Sequence, residues 1–426
     1  MEILDKAAAA KANYRYQITI IGILFFIFGF VTWLNGTLIP FLKLACELDT
    51  VQALFVTFAF YISYFFLALP SSEILKRTGF KDGMALGLLV MAVGCLIFIP
   101  AAYMRTFPLF LLGLFVQGMG LSLLQTASNP YISIIGPIES AAQRISIMGI
   151  CNKVAGIISP LVLSSIVLKN ASAIEAQVLS TTDAAQKSAL LDELATRVVS
   201  PYVIMAIVLT ALALMIRRAK LPEINTASHS QEAGGLDLSP GRTSVWQFSH
   251  LVLGALAIFC YVGLEVMTGD GITIYGRSLG FGLDQTKYFT SFTLAAMLVG
   301  YVLNILLIPK YISQQNFLKY SSMLGIALML LTYVSTGSTA VTCIAAMGLA
   351  NAVMWPAIFP LAINGLGRFT EKGSALLIMG IAGGAVLPQL YGALEKPLGY
   401  ANALLIVVLP CYLYILYYAI RGYKPR

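Results

Sequence analysis

The sequence predicts an all-α membrane protein with twelve transmembrane helices in two bundles of six. Of its 426 residues, 58% are hydrophobic and only 11% are charged, and the mean hydropathy is +0.84. A soluble domain carries roughly 25% charged residues, so the few charges of this chain cannot cover a folded surface and lipid must do so. The apolar segments are continuous rather than alternating, which excludes a transmembrane β-barrel.

Twelve apolar segments follow one another along the chain, and each approaches or exceeds the about 20 residues that a helix needs to cross the hydrocarbon core. The first segment has no small-residue cleavage site, so we expect it to remain as a membrane helix. The first six segments lie at residues 16–40, 51–75, 83–103, 107–135, 145–168 and 199–216. The second six lie at residues 248–276, 287–308, 318–336, 340–366, 373–394 and 400–420.

A polar stretch between the two sets has the Pro, Gly, Ser and charge content of a solvated linker. We therefore predict an N-terminal bundle at 1–216, a linker at 217–244 and a C-terminal bundle at 245–426. Of the 27 Lys and Arg residues, 18 fall on the side of the termini, eight fall on the other side and Lys153 lies within the membrane. The positive-inside rule then predicts that both termini are cytoplasmic. The net charge of +8 follows from this topology, so no nucleic-acid partner is expected.

Cysteine and histidine residues give no sign of metal or redox chemistry. The six cysteines lie singly in or beside apolar segments, and neither histidine has a metal-ligand partner in the sequence. We expect no enzyme activity, no metal and no cofactor, apart from a coupling ion such as Na⁺ or H⁺.

Three ionisable residues, Lys153, Glu265 and Asp270, fall inside predicted membrane helices, where each costs at least about 2.5 to 3.5 kcal/mol to insert. Lys153 lies nine residues after Arg144, about 14 Å into the bilayer, and Glu265 lies at a similar depth. This pair is either a structural ion pair between the halves or a charge that senses substrate or coupling ion. Asp270 lies between two glycines, so it either lines a broken helix or marks a helix end.

Uncharged polar side chains concentrate in the helices predicted to line a central cavity. A sugar needs many neutral donors and acceptors beside aromatic faces. Any single amide could instead form an interhelical hydrogen bond. The candidate substrate-binding residues are Trp33 and Asn35 in the first helix, Gln125 and Asn129 in the fourth, Asn152 in the fifth, and Asn351 and Trp355 in the tenth.

Several strings resemble the fucose:proton symporter family of the major facilitator superfamily, whose members include bacterial glucose/galactose and N-acetylglucosamine transporters. They are FGFVTWLN at 28–35 with LIP at 38–40, LQTASNPY at 124–131 with GP at 136–137, and YVGLEV at 261–266. The resemblance covers most of the chain and implies the major facilitator fold. It also implies sugar uptake by alternating access, with the site at mid-membrane between the halves.

Two positions depart from the pattern of the proton-coupled fucose carriers. Gly36 stands where those carriers have an Asp, and Gln125 stands where they have a Glu. Glycine cannot titrate and glutamine only forms hydrogen bonds, so Glu265 becomes the best remaining carboxylate for coupling. An alignment of the two halves places Gly36 opposite Asp270, 234 residues later, which suggests that an acidic group has moved to the other half.

The predicted function is cation-coupled import of a neutral hexose or N-acetylhexosamine, of the glucose, galactose, mannose or N-acetylglucosamine class. An uncoupled sugar uniporter and a drug or peptide transporter of the same fold are the alternatives. A sugar sensor would need a signalling domain, and an enzyme acting on a lipid-linked sugar would need clustered carboxylates or histidines. The expected partners are a small-molecule sugar and membrane lipid, and we expect a monomer.

Overall fold

The computed structural model describes residues 2–134, 141–219, 238–308 and 310–425, most of which are helical. The first half contains α1 Glu2–Trp33, α2 Asn35–Ala45, α3 Thr50–Ala53, α4 Phe55–Tyr103, α5 Phe107–Ile134, α6 Ala141–Val167, α7 Ala171–Ser180, α8 Ala184–Thr196 and α9 Val199–Arg218. The second half contains α10 Ser249–Gly269, α11 Gly271–Ser278, α12 Leu283–Thr286, α13 Phe289–Leu307, α14 Gln314–Val334, α15 Gly337–Asn351, α16 Met354–Ile363, α17 Thr370–Met379, α18 Gly383–Leu398 and α19 Tyr400–Tyr417.

Eleven helical spans in the described ranges are long and apolar enough to cross a membrane. One of them, Thr50–Tyr103, has 54 residues and would reach about 80 Å if straight, far more than a bilayer. It bends at Gly79, where φ is 75° and ψ is 171°, a conformation that glycine adopts without steric cost. The two arms of α4 are the predicted second and third crossings, so the spans accommodate all twelve predicted crossings.

Large apolar side chains point outward from many of these helices. Phe66, Ile207 and Leu306 are each more than half exposed to the surroundings of the chain. Contiguous apolar surface of this kind is rare on soluble monomers and suits contact with lipid. The chain is therefore a multi-pass membrane protein.

The first crossing of each half is interrupted at a similar depth. In the first half α1 ends at Trp33 and α2 begins at Asn35, while in the second half α10 ends at Gly269 and α11 begins at Gly271. The backbone keeps helical φ and ψ at both Leu34 and Asp270, so each interruption is a local distortion of the helix rather than an unwound segment. The break at Asp270 agrees with one of the two interpretations of that residue, whereas the break at Leu34 was not predicted.

Two glycines allow close contact between helices that carry polar residues. A Cβ on Gly29 would overlap the backbone of Asn152, and a Cβ on Gly383 would overlap the backbone of Phe259. Small residues let helix backbones approach in this way within membranes. The contact at Gly29 holds α6 against α1, which fixes the position of Asn152 and of the neighbouring Lys153.

Two short helices, α7 and α8, lie between the fifth and sixth crossings, on the side away from the termini. The Asp183 carboxylate caps α8 by accepting a hydrogen bond from the Ala185 N–H at 2.9 Å. Glu175 in α7 pairs with Arg277 at the end of α11, with 2.9 Å between Oε1 and Nη2. This pair joins the loop of the first half to the second half. Most of the predicted linker, residues 220–237, and the predicted Gly136–Pro137 motif lie outside the described residues, and the proposed domain boundaries remain a prediction.

Candidate functional site

A central cavity lies between the two halves and extends to Trp33, beside the break in the first crossing. The first, second, fourth and fifth crossings line it on one side, and the seventh, eighth, tenth and eleventh line it on the other. Of the predicted site residues, the structure brings together Trp33, Gln125, Asn129, Asn152, Lys153, Glu265 and Trp355 on its wall.

Amide side chains on the cavity wall are oriented by neighbouring aromatic residues. The Trp33 indole Nε1–H donates to Asn152 Oδ1 at 3.3 Å, and Gln125 Nε2 donates to the Tyr64 hydroxyl at 3.0 Å. Each amide therefore keeps its opposite end available to a ligand, since an amide group has both donors and acceptors. The result is a set of fixed, uncharged hydrogen-bonding groups.

One ion pair crosses the cavity between the halves. Lys153 Nζ lies 2.6 Å from Glu265 Oε1, and the two side chains are only 5% and 12% exposed. The same Nζ lies 4.3 Å from the centroid of the Trp33 ring, within the range of a cation–π contact. Either charge would be unfavourable if it were buried without the other. Separating the pair would therefore leave an uncompensated buried charge, in addition to losing their attraction.

Aromatic residues that were not among the predicted site residues form much of the remaining wall of the central cavity. Tyr61 and Tyr64 in α4 stack with ring centroids 6.4 Å apart, and the Tyr261 ring lies 6.3 Å from the ring of Trp355. The spacing of three between the first two residues, and of four between Tyr261 and Glu265, places each pair on one helix face. The spacing of four between Tyr261 and the predicted site residue Glu265 was the available signal in the sequence. Tyrosine is frequent in this chain, so these residues do not stand out by themselves.

Asn351 does not reach the cavity. Its Nδ2 donates to Thr268 Oγ1 at 3.0 Å, and its Oδ1 accepts from the Tyr412 hydroxyl at 2.8 Å. Both ends of the amide are used, and the side chain is fully buried. This geometry agrees with the alternative of an interhelical hydrogen bond, which connects the tenth, seventh and twelfth crossings.

Asn35 and Asp270 lie at the two helix breaks, behind the cavity wall. Their exposed fractions are 1% and 0%. Neither the Asn35 amide nor the Asp270 carboxylate has a hydrogen-bond partner among the residues that the structure describes. Buried polar groups are rarely left without partners in folded proteins, so both require an explanation.

Comparisons with known proteins point in the same direction as this geometry. A family model described as Major Facilitator Superfamily matches residues 21–416. The glucose/galactose transporter of Brucella abortus is 34% identical over 428 residues, which cover 99% of this chain and 97% of the relative. A putative glucose/galactose transporter of Helicobacter pylori is 30% identical, covering 94% of this chain and 95% of the relative. The crystal structure of the Escherichia coli fucose:proton symporter matches with a TM-score of 0.76 at 27% identity, covering 95% of this chain and 98% of that one.

Proposed function

Because the chain belongs to the Major Facilitator Superfamily, in the branch of the fucose:proton symporters, we propose that it imports a neutral hexose or N-acetylhexosamine by cation-coupled alternating access. The substrate class comprises glucose, galactose, mannose and N-acetylglucosamine. The relatives are named as transporters of glucose/galactose and of L-fucose with a proton.

One observation carries this proposal: the described wall of the central cavity combines amides and aromatic rings with charges that cancel. Gln125, Asn129 and Asn152 offer neutral donors and acceptors, and Trp33 and Trp355 offer ring faces. A sugar has hydroxyl groups for the amides and an apolar C–H face for the rings. A charged substrate would instead need an unbalanced charge on the wall, and Lys153 is already neutralised by Glu265.

The Lys153–Glu265 pair would couple substrate binding to motion of the halves. It links α6 of the first half to α10 of the second, so opening the cavity requires this contact to be released or replaced. Sugar hydroxyls that hydrogen-bond to either charge would lower the cost of separating them. Removing the carboxylate would then strand Lys153, and we expect sugar uptake to collapse in Glu265→Gln although the protein still inserts.

Topology and assembly follow from the sequence and belong to the same proposal. The excess of Lys and Arg near the termini supports a cytoplasmic location for both ends in a bacterial inner membrane. Each half contributes to one cavity, so a single chain contains a complete site and needs no second copy. We propose a monomer surrounded by lipid.

Uptake into proteoliposomes tests the proposal. Purified protein is reconstituted and supplied with radiolabelled glucose, galactose, mannose or N-acetylglucosamine, with an inward Na⁺ gradient, an inward proton gradient or neither. Accumulation that depends on one gradient would support coupled import and identify sugar and ion together. Equilibration without accumulation would instead support the uncoupled uniporter, and no movement of any sugar would contradict the substrate class and favour a drug or peptide transporter.

A further inference from the structure

Asp270 lies in a partition between two cavities. The central cavity reaches Trp33 and Glu265. A second cavity, which we call the vestibule, lies on the side away from the termini and is lined by residues that include Ile39, Thr273 and Thr286. Along both the first and the seventh crossing, the residues between these two sets belong to neither cavity. Gly36 is the central residue of this intervening layer in the first crossing, and Asp270 lies one residue past its centre in the seventh.

The partition is built from close contact between the two halves. A Cβ placed on Gly36 would lie 2.5 Å from Thr290 Oγ1 and 3.0 Å from Asp270 Oδ1, so only a glycine fits there. The Thr290 hydroxyl donates to the Gly269 carbonyl at 2.9 Å, which ties the eighth crossing to the break in the seventh. The Trp33 ring packs against Gly269 from the central side. The first half therefore contacts Asp270 through the backbone of Gly36, without a side chain between them.

The charge of Asp270 is not compensated in this closed arrangement. The Gly36 N–H lies near the carboxylate, but neither carboxylate oxygen completes a hydrogen bond within the described residues. The ionisable groups whose electrostatic interactions reach it are Lys153 on α6, Glu265 on α10 and Tyr61 on α4. Lys153 is already engaged by Glu265 at 2.6 Å. A fully buried carboxylate without its own partner is far more stable neutral than ionised.

We propose that Asp270 is the proton-binding group of this transporter and that its protonation permits the partition to close. Water in the vestibule ionises Asp270 when the partition is open, and a proton taken from that water converts the carboxylate to the carboxylic acid. The neutral acid then packs against Gly36, and the central cavity is sealed from the vestibule. When the other side of the partition opens to water, the same O–H bond breaks and the proton leaves to that side. One proton thus crosses in each cycle.

A proton fits the site better than a metal cation does. Hard metal cations take about six or more oxygen ligands in a cage. The Asp270 carboxylate lies instead beside the backbone of Gly36, and the nearby Thr290 hydroxyl already donates to the Gly269 carbonyl. The inference rests on the proposed transport function, and it assigns the coupling to Asp270 rather than to Glu265.

The variant Asp270→Asn tests this assignment, because asparagine resembles the protonated acid and cannot ionise. We expect it to exchange labelled for unlabelled sugar across a liposome membrane, since both closed and open states remain accessible. We expect accumulation driven by a proton gradient to fall at least about tenfold. The matched control is Asp284→Asn, which removes an exposed carboxylate at the vestibule end of the eighth crossing and should accumulate sugar normally.

A second measurement needs no substrate. Replacing Trp246 and Trp355 with Phe leaves Trp33, which packs against the partition, as the only tryptophan. If protonation closes the partition, Trp33 fluorescence should change with pH in the parent protein, which keeps Asp270, and stay constant in Asp270→Asn.

The outcomes separate this inference from the proposed function. Proton-driven accumulation that survives in Asp270→Asn would overturn the inference and leave sugar transport intact, as would a parent protein driven by Na⁺ alone. If no sugar moves in the parent protein, the transport proposal fails, and the fluorescence titration still decides whether Asp270 binds a proton at the partition. A pH response that is identical in both proteins would overturn the inference.

Discussion

Two buried carboxylates lie five residues apart on the seventh crossing, and the protein treats them in opposite ways. Glu265 faces the central cavity and has a lysine 2.6 Å away, whereas Asp270 lies in the partition with no hydrogen-bond partner in the described part of the chain. The membrane imposes a similar cost on both. The positive charge of Lys153 offsets the cost of burying Glu265, whereas Asp270 avoids this cost by being protonated and neutral. A paired carboxylate holds the halves together, while an unpaired one responds to access of water and protons.

The largest difference should appear in stability when each carboxylate is neutralised. Glu265→Gln leaves Lys153 buried without its partner, and we expect a loss of about 3–5 kcal/mol in unfolding free energy. Asp270→Asn replaces a neutral acid by a neutral amide and should change stability by less than about 1 kcal/mol. Thermal or denaturant unfolding of the purified proteins in detergent measures both.

A double variant completes this comparison. Lys153→Met combined with Glu265→Gln removes both charges, so most of the stability lost in the single variant should return. Equal losses for Glu265→Gln and Asp270→Asn would contradict the distinction between a paired and an unpaired carboxylate.

The next effect concerns the fit of the partition. Gly36→Ala would place a methyl group 2.5 Å from Thr290 Oγ1, so the halves could not close at this point and uptake should fall by about tenfold or more. Gly22→Ala in the same crossing is a matched control, because its Cβ would lie 3.6 Å from the Cys151 sulfur, an ordinary contact. Initial rates of sugar uptake measure the effect, and similar rates in the two variants would show that closure at Gly36 is not required.

A smaller effect should distinguish the amides of the cavity from the structural amide behind it. Gln125→Ala removes one hydrogen-bonding group from the cavity wall, and we expect the half-saturating sugar concentration to rise by about three- to tenfold. Asn351→Ala breaks two interhelical hydrogen bonds and should lower the unfolding temperature with little change in sugar affinity. Sugar titration and thermal unfolding of both variants check the contrast, which fails if Asn351→Ala weakens sugar binding as strongly as Gln125→Ala.

The same contrast explains what the sequence could predict. Segment length and hydropathy are local properties, and they sufficed for the twelve crossings, including the two that join at Gly79. Depth along a helix also follows from residue counting, and it brought Lys153 and Glu265 to the same level. Equal depth and a shared interface are enough to predict that these two residues form an ion pair.

The direction of a side chain is less predictable, because it depends on how each helix is rotated and packed against its neighbours. The three predicted residues outside the cavity all lie at helix interruptions: Asn35 begins α2, Asn351 ends α15 and Asp270 separates α10 from α11. The side to which each of these residues points is set by packing between helices, and hydropathy does not register this. The interruption in the first crossing falls at Leu34, and a leucine does not indicate an interruption as a proline or glycine would.

The smallest expected effect lies at the outer rim of the vestibule. Glu175 and Arg277 join the two halves there, but their side chains are 29% and 39% exposed, so water and salt screen the pair. Surface ion pairs of this kind contribute about 0–1 kcal/mol, and Glu175→Gln should therefore alter uptake by less than about fivefold. Because screening already weakens the pair, the difference between Glu175→Gln and the parent protein should shrink as salt is raised. Glu175→Gln could instead lose as much uptake as Gly36→Ala, with a loss that is insensitive to salt. That result would place the principal barrier at the rim and not at the partition. Closure would then depend on the loop of α7 and α8 rather than on the backbone contact at Asp270.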